Sequence, residues 1–318
     1  MREFTVTAEY EDRRLDRWLR AELPALPMGQ MQKFLRLKRI KLNGKGAQGD
    51  TRLHRGDTLQ LYIEDEFFAK PKKIDPFLSK LKPKLDIVYE DAHILIVDKR
   101  PGLVAHPDAE EKVHTLLTYA QAYLYQKGEY DSQDERAFAP ALCNRIDRFT
   151  GGIVLIAKTE EAMRVLNEKI RAREIGKYYL CVIEGRMRPA NGTLTGYILK
   201  NTKRVTVLKK NAPGAQQAIT RYRTMETRDK LSLVECELLT GRTHQIRAQF
   251  ADTGHPLLGD TQYGSPALNE KYGRKGQALY AYRISFDFTT DAGVLNGLKG
   301  KSWHVKRVPF VREYFGEE

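Results

Sequence analysis

Cysteine is scarce in this 318-residue chain: Cys143, Cys181 and Cys236 are odd in number and far apart. They offer neither a disulfide framework nor a Cys-x-x-Cys knuckle, so a reducing, cytoplasmic setting without a structural metal is expected. No stretch reaches the roughly eighteen consecutive apolar residues of a membrane span. The opening residues Met1-Arg-Glu-Phe-Thr-Val6 lack the apolar core of a signal peptide. Internal repeats, low-complexity tracts and a regular βα rhythm are missing too. What remains is an α+β expectation, a mixed and largely antiparallel sheet with flanking helices and loops. Acidic residues are the last shortage, with 41 Asp and Glu against 54 Lys and Arg and a formal net charge of +13. That surplus points to a polyanionic partner, nucleic acid first.

The length suffices for two domains. Residues 1–64 read as a compact unit. Leu15, Trp18 and Leu19 share one helix face, and Met31, Phe34 and Leu35 repeat that spacing after a break over Pro24 and Pro27-Met28-Gly29. Ile40-Lys41-Leu42 is a short strand entering an Asn43-Gly44 turn, and Thr58 to Tyr62 alternates like a half-buried strand. From Lys33 to Lys45 the chain holds six basic residues and no acid. Lys33, Arg36, Lys38, Arg39 and Lys41 are therefore the expected contacts to a nucleic-acid backbone. Residues 65–84, with Lys70, Pro71, Lys72, Lys73, Pro76, Lys80, Lys82 and Pro83, read as an extended linker.

From Leu85 to the end a second core is expected. Asp86–Asp91 and His93–Lys99 read as paired strands, Arg100-Pro101-Gly102 as a sharp turn, and residues 113–126 as a helix. Many short β segments follow Lys177. The stretch that organises this half is Asn144-Arg-Ile-Asp-Arg-Phe-Thr-Gly-Gly-Ile-Val-Leu-Ile-Ala-Lys-Thr159. Ile153 to Ala157 reads as a strand buried on both faces, and a carboxylate fixed just before it has little freedom. Arg145 and Arg148 beside Asp147 offer guanidinium forks to phosphates. Alone, the Arg-x-Asp-Arg turn also fits a solvated ion-pair cluster.

A second dense region runs from Thr240-Gly-Arg-Thr-His-Gln-Ile-Arg-Ala-Gln-Phe250 through Gly254-His255-Pro256-Leu257-Leu258-Gly259-Asp260 to Tyr263-Gly264. Gly241, Arg242, Thr243 and Gln245 gather donors at an expected helix start, an anion-binding arrangement. His244 and His255 lack the further ligands a zinc site needs and read as hydrogen-bonding residues.

Taken together, these segments resemble RluA-type pseudouridine synthases, in the family's order and over nearly all of residues 85–318. Asp98-Lys-Arg-Pro-Gly-Leu-Val-Ala-His-Pro107 and Lys177 to Gly185 complete the set. Arg14-Leu15-Asp16 and Ile40-Lys41-Leu42-Asn43-Gly44 resemble the alpha-L RNA-binding module over the first sixty residues. The resemblance implies the pseudouridine synthase fold and isomerisation of chosen uridines in structured RNA, with no cofactor or metal. It implies that Asp147 is the essential aspartate, that Arg247 pairs with it, and that Tyr179 stacks on the target base and is a candidate for its deprotonation. Arg145 would contact RNA and help hold the flipped nucleotide, with Arg148, Arg242 and His244 as further RNA contacts. Asn144, Phe149 and Gly151 depart from the family's usual histidine, acid and serine.

Enzymes of this type with the appended module point to large-subunit ribosomal RNA, with transfer RNA as the alternative, acting as a monomer. A non-catalytic RNA-binding protein on the same scaffold would be marked by loss of Asp147, Tyr179 or Arg247, and none is lost. The sister family acting on small-subunit ribosomal RNA shares the N-terminal module but not the Gly241 to Asp260 pattern.

Overall fold

The structure, a computed structural model, describes residues 1–68, 75–134, 137–201 and 204–316. The chain divides into two compact units, Met1–Ile74 and Asp75–Glu318.

In the first unit the elements are β1 (Arg2–Thr5), α1 (Leu15–Glu22), α2 (Met28–Arg36), β2 (Ile40–Leu42), β3 (Lys45–Gly46) and β4 (Thr58–Leu61). The strands form one antiparallel sheet in the order β1-β4-β2-β3. Both helices bury the faces their spacing marks, Leu15, Trp18 and Leu19 from α1 and Met31 and Phe34 from α2. Pro27 caps α2, so Met28 and Gly29 open that helix instead of belonging to the break. Asn43 and Gly44 both have positive φ, 51° and 80°, the conformation an Asn-Gly hairpin turn requires.

The expected linker is partly folded. Asp65–Phe68 is a 3₁₀ turn, and Phe67 and Phe68 pack on Phe34 and Phe4. In the second unit, Pro76–Lys80 is α3. Its N-cap Asp75 accepts from the backbone of Phe77 and Leu78, and Pro76 occupies the first turn, where its missing N–H costs nothing. Lys70, Pro71, Lys72 and Lys73 lie outside the described residues.

The second unit continues with β5 (Asp86–Glu90), β6 (Ile94–Lys99), α4 (Leu116–Gln126), β7 (Ala141–Leu142), β8 (Gly151–Ala157), α5 (Glu160–Arg171), β9 (Ile175–Glu184) and β10 (Asn191–Lys200). Then come β11 (Val205–Leu208), β12 (Gln216–Arg228), β13 (Leu231–Leu238), α6 (Gln245–Asp252), α7 (Pro266–Lys271), β14 (Leu279–Phe286), β15 (Ser302–His304) and α8 (Pro309–Phe315). The sheet runs β11-β10-β12-β13-β9-β14-β8-β6-β5, with β15 on β14 and β7 on β8. Among the strands of the described residues only β8 and β14 pair in parallel, so the expected mixed, largely antiparallel α+β architecture holds.

Strand β8 is buried at all seven positions. Ile153, Leu155 and Ala157 enter the core on one sheet face, and Val154 and Ile156 enter the core on the other. That double burial removes polar alternation and explains the bare apolar run. Helix α4 starts at Leu116, not at 113, because the Thr115 hydroxyl accepts from the backbone of Thr118. Several of the later strands are longer than expected: β9 and β10 have ten residues each and β12 thirteen, while β11 and β15 are short, with four and three. Much of β12 is exposed, and its polar residues hide its length from an apolar pattern.

A charged cluster ties β5 to the loop after α4. Lys158 bonds Glu90 at 2.9 Å and also contacts Glu129; Lys127 reaches Glu90 at 2.8 Å and Glu129 at 2.7 Å. Burial pushes the Glu90 carboxyl up, but hydrogen bonds from Lys127, Lys158 and Tyr123 outweigh it and hold its pKa at about 2. A depressed carboxylate stabilises the fold above its unfolded value, and that contribution is lost as pH falls through about 2. Glu90→Gln is therefore expected to lower stability at neutral pH and to flatten the acid limb of denaturation below pH ~4.5. The effect should be on the order of 2–3 kcal/mol in urea melts taken across pH. An unchanged acid limb would show that this cluster is only a surface arrangement.

Candidate active site

Asp147 sits in the loop that enters β8, and that loop is pinned at both ends. The Asn144 amide donates to the Ile153 carbonyl at 3.3 Å and accepts from Leu155 N–H at 2.8 Å, extending the β ladder through a side chain. Ile146 is buried in the core below. Thr150 N–H closes a turn on the Asp147 carbonyl at 3.0 Å, and the Gln277 amide holds the Thr150 hydroxyl at 3.1 Å. Gly151 and Gly152 then let the chain run close beside β14, its parallel neighbour in the sheet. A Cβ on Gly151 would stand 2.3 Å from the Tyr280 ring, and one on Gly152, at φ 112°, would stand 2.2 Å from the Ala281 carbonyl. Glycine in place of serine at 151 is thus what the seated Tyr280 ring requires.

Lys99 supports the same loop from beneath. Its side chain is 1% exposed, and its ammonium donates to the carbonyls of Leu103, Arg148 and Arg100 at 2.7, 3.0 and 3.1 Å. Burial lowers its pKa to about 7 against the pull of Asp147 and then Asp98. Nothing local in the sequence marks Lys99 as buried, because it stands beside an exposed Arg-Pro-Gly turn.

Arg247, on the first turn of α6, donates Nη1 to Asp147 Oδ2 at 2.8 Å. Asp260, 1% exposed, binds the same guanidinium through both oxygens, Nε–Oδ2 at 2.7 Å and Nη2–Oδ1 at 3.0 Å. Burial pushes the Asp260 carboxyl up, but Arg247 and the N–H groups of Gln262 and Tyr263 hold it below the usual carboxylate range. Burial acts against the Arg247 charge as well, and Asp260 and Asp147 outweigh it. A two-carboxylate grip fixes the fork in one orientation.

His244 approaches the same oxygen, with Nε2 3.8 Å from Asp147 Oδ2. Its Nδ1 lies 3.1 Å from the Tyr263 hydroxyl, which accepts from Val205 N–H at 3.0 Å. With the hydroxyl proton pointed at Nδ1, the imidazole proton would sit on Nε2, facing Asp147. Burial lowers the His244 pKa, Asp147 raises it and Arg247 lowers it further. Both neighbours meet Asp147 at Oδ2, so Oδ1 is the oxygen without a hydrogen-bond partner among the described residues.

Tyr179 lies on β9, with its ring buried and its position in the cleft wall. Burial first and the charge of Asp147 second push its hydroxyl well above the ordinary tyrosine range. It is a neutral phenol, suited to serve as a platform more than as a ready-made base.

These groups open on one cleft of about 890 Å³. Eight Lys or Arg residues line it against two acids, Asp108 and Asp147. Asp147, Tyr179, Arg247, His244, Arg145, Arg148 and Arg242 all lie on it. Arg145 and Arg148 are exposed, and Arg148 reaches Glu110 at 3.5 Å. Phe149 is exposed at 49% and sits under the Arg148 guanidinium. Lys33, Arg36, Lys38, Arg39 and Lys41 belong to the first unit, at the end of α2 and on β2. Arg39 pairs there with Glu64 at 3.2 Å, and Lys41 lies over the Tyr62 ring.

One expectation needs correction. Gln245 offers nothing to an anion: it is 3% exposed, and its amide bonds Thr240, Arg242 N–H, Ile219 O and Thr220. Helix α6 begins at Gln245 with His244, at φ 54°, as its N-cap, so Gly241 and Arg242 stand before the helix start. Asp260 and Tyr263, named only as part of the dense region, and Lys99, named only within its segment, carry the site's geometry without having been assigned a role; the signal for Asp260 and Lys99 is burial, which no local pattern reveals. Among the described residues, no three His, Cys, Asp or Glu side chains gather as metal ligands, and no helix is long and apolar enough to cross a membrane.

Residues 93–252 match the family described as RNA pseudouridylate synthase. A protein named as an uncharacterised RNA pseudouridine synthase from Mycoplasma genitalium is 32% identical over 292 residues, covering 89% of this chain and 88% of its own. The ribosomal large subunit pseudouridine synthase C of Escherichia coli is 27% identical over 279 residues, covering 86% and 83%. Among solved structures, human RNA pseudouridylate synthase domain containing 4 superposes with a TM-score of 0.54 at 20% identity, over 71% of this chain and 89% of that one. That last likeness concerns the fold.

Proposed function

The chain belongs to the RNA pseudouridylate synthase family, and from that membership we propose that it isomerises chosen uridines of large-subunit ribosomal RNA with Asp147 as the catalytic carboxylate. The observation that carries this reading is the Asp147–Arg247–Asp260 chain, 2.8 and 2.7 Å, at the head of a basic cleft walled by Tyr179. The large-subunit target is supported by the name of the Escherichia coli relative and by the cluster of bases on α2 and β2.

The reaction moves C1′ of the ribose from N1 to C5 of the uracil. The N1–C1′ bond breaks, C5–C1′ forms, C5 gives up its proton and N1 gains one, so no atom enters or leaves overall. A uridine stacked in RNA must first be extruded into a pocket. Breaking the glycosidic bond builds positive character on the sugar, which a carboxylate can meet directly at C1′ or relieve by taking a proton from C2′. Either route uses an oxygen of Asp147 that is free, and Arg247 and His244 occupy Oδ2. Oδ1 is accordingly the reacting oxygen in this reading. The freed uracil then turns on the Tyr179 ring before it bonds through C5.

Tritium release from 5-³H-uridine-labelled large-subunit transcript tests the proposal. Release by the wild type, and none from labelled transfer RNA, is the expected result. Release from transfer RNA alone would move the substrate and keep the chemistry.

A further inference from the structure

Among the described residues, Lys177 is a cation without a counter-charge. It stands two residues before Tyr179 on β9, so the two side chains share the strand face that lines the cleft. It is half-buried and makes no ion pair or hydrogen bond with a described residue. Its ammonium lies 3.7 Å from where a Cβ of Gly241 would be, so the missing side chain of that glycine leaves the charge uncovered. Burial first, and repulsion from Arg242 second, hold its pKa below the ordinary lysine value; no carboxylate acts on it.

Arg242 is also half-buried. Its Nε is tethered to the Gln217 carbonyl at 3.0 Å, which leaves its two terminal nitrogens without a partner among the described residues. The other cations of the cleft differ. Arg247 is gripped by Asp147 and Asp260, Arg148 reaches Glu110, and Arg145, Arg171, Arg173 and Lys200 are exposed to water. Two partly desolvated cations that repel each other cost the free protein stability, and neither finds a carboxylate among the described residues. Such a violation of pairing is expected where a ligand completes the pair.

We propose that Lys177 and Arg242 form a phosphate-binding subsite that takes a phosphodiester next to the target nucleotide. The subsite grips the RNA backbone while Asp147 and Tyr179 face the sugar and base. This rests on the RNA-isomerase reading above. It also revises the anion site expected over Gly241, Arg242, Thr243 and Gln245: Arg242 stays, Gln245 drops out, and Lys177 joins from the same cleft wall.

The test compares wild type with Lys177→Met, Lys177→Arg and Arg242→Met. Filter-binding Kd for large-subunit transcript is measured from 50 to 200 mM KCl, and kcat and KM are taken from tritium release. Lys177→Met should raise Kd and KM about tenfold at moderate salt and make the slope of log Kd against log salt shallower by about 1. It should leave kcat within roughly twofold and the thermal midpoint no lower, since a repulsion is removed. Lys177→Arg should recover most of the binding. Combined with Arg242→Met, the loss should be less than additive, because both groups share one phosphate. An unchanged salt slope would overturn the subsite, whether or not kcat fell. Absence of tritium release from the wild type would count against the proposed target or activity, and the binding slopes would still decide on the subsite.

Discussion

Asp147→Asn should stop turnover and leave a folded protein that still binds RNA. The substitution keeps the shape of the side chain, and its amide oxygen can still accept from Arg247, now 2.8 Å from Oδ2. What is lost is the negative charge, and with it both the attack on C1′ and the capture of a C2′ proton. Deleting a group on which the chemistry depends commonly costs roughly 10³- to 10⁴-fold in kcat, about 4–6 kcal/mol of barrier. Stability should hardly change, because the carboxylate is 28% exposed and the loop is fixed by Asn144, Thr150 and Lys99 instead. Single-turnover tritium release beside a filter-binding Kd separates the two effects. Turnover within tenfold of wild type would remove Asp147 from the chemistry.

Arg247→Met should damage both activity and fold. It strips Asp260 of its bidentate partner at a position 1% exposed, leaving a buried charge held, among the described residues, by the N–H groups of Gln262 and Tyr263. Breaking a buried pair in this way costs about 3–5 kcal/mol, most of it the penalty on the abandoned charge. The same change leaves Asp147 Oδ2 with His244 alone, at 3.8 Å. Arg247→Lys keeps the charge but not the fork that spans two carboxylates, so it should recover part of the stability and little of the rate. Adding Asp260→Asn to Arg247→Met removes the stranded charge and should restore stability without restoring turnover. Urea melts of the four proteins measure the first quantity and tritium release the second. Recovery of activity in the double variant would show that Arg247 serves the fold alone.

How much of this was legible depends on where each signal is stored. The Asp147 loop announces itself because a strand buried on both faces has no polar alternation, and because two glycines must run close beside Tyr280 and Ala281. The Asn43-Gly44 hairpin and the faces of α1 and α2 are equally local. Arg247 is a hundred residues from Asp147, and its pairing came only with the resemblance to a family. Asp260 and Tyr263 lie in a glycine-rich turn that looks like surface until α6 is laid against it. Lys99 was hidden for the same reason: its partners are carbonyls, one of them 49 residues away, and carbonyls leave no mark in a sequence. Of the anion-binding arrangement expected over Gly241, Arg242, Thr243 and Gln245, only Arg242 remains in the proposed subsite: the Gln245 amide is consumed internally, and the second cation, Lys177, comes from a neighbouring strand. Local backbone demands can be read from residue types, whereas charge pairing across the sheet cannot.

The most direct measurement maps pseudouridine in large-subunit ribosomal RNA from cells lacking this protein, complemented with wild type or with Asp147→Asn. The expected result is one or more pseudouridines missing from that RNA in the deletion, restored by the wild type and not by the variant. An identical large-subunit map in all three strains would contradict the account, as would restoration of the missing positions by Asp147→Asn.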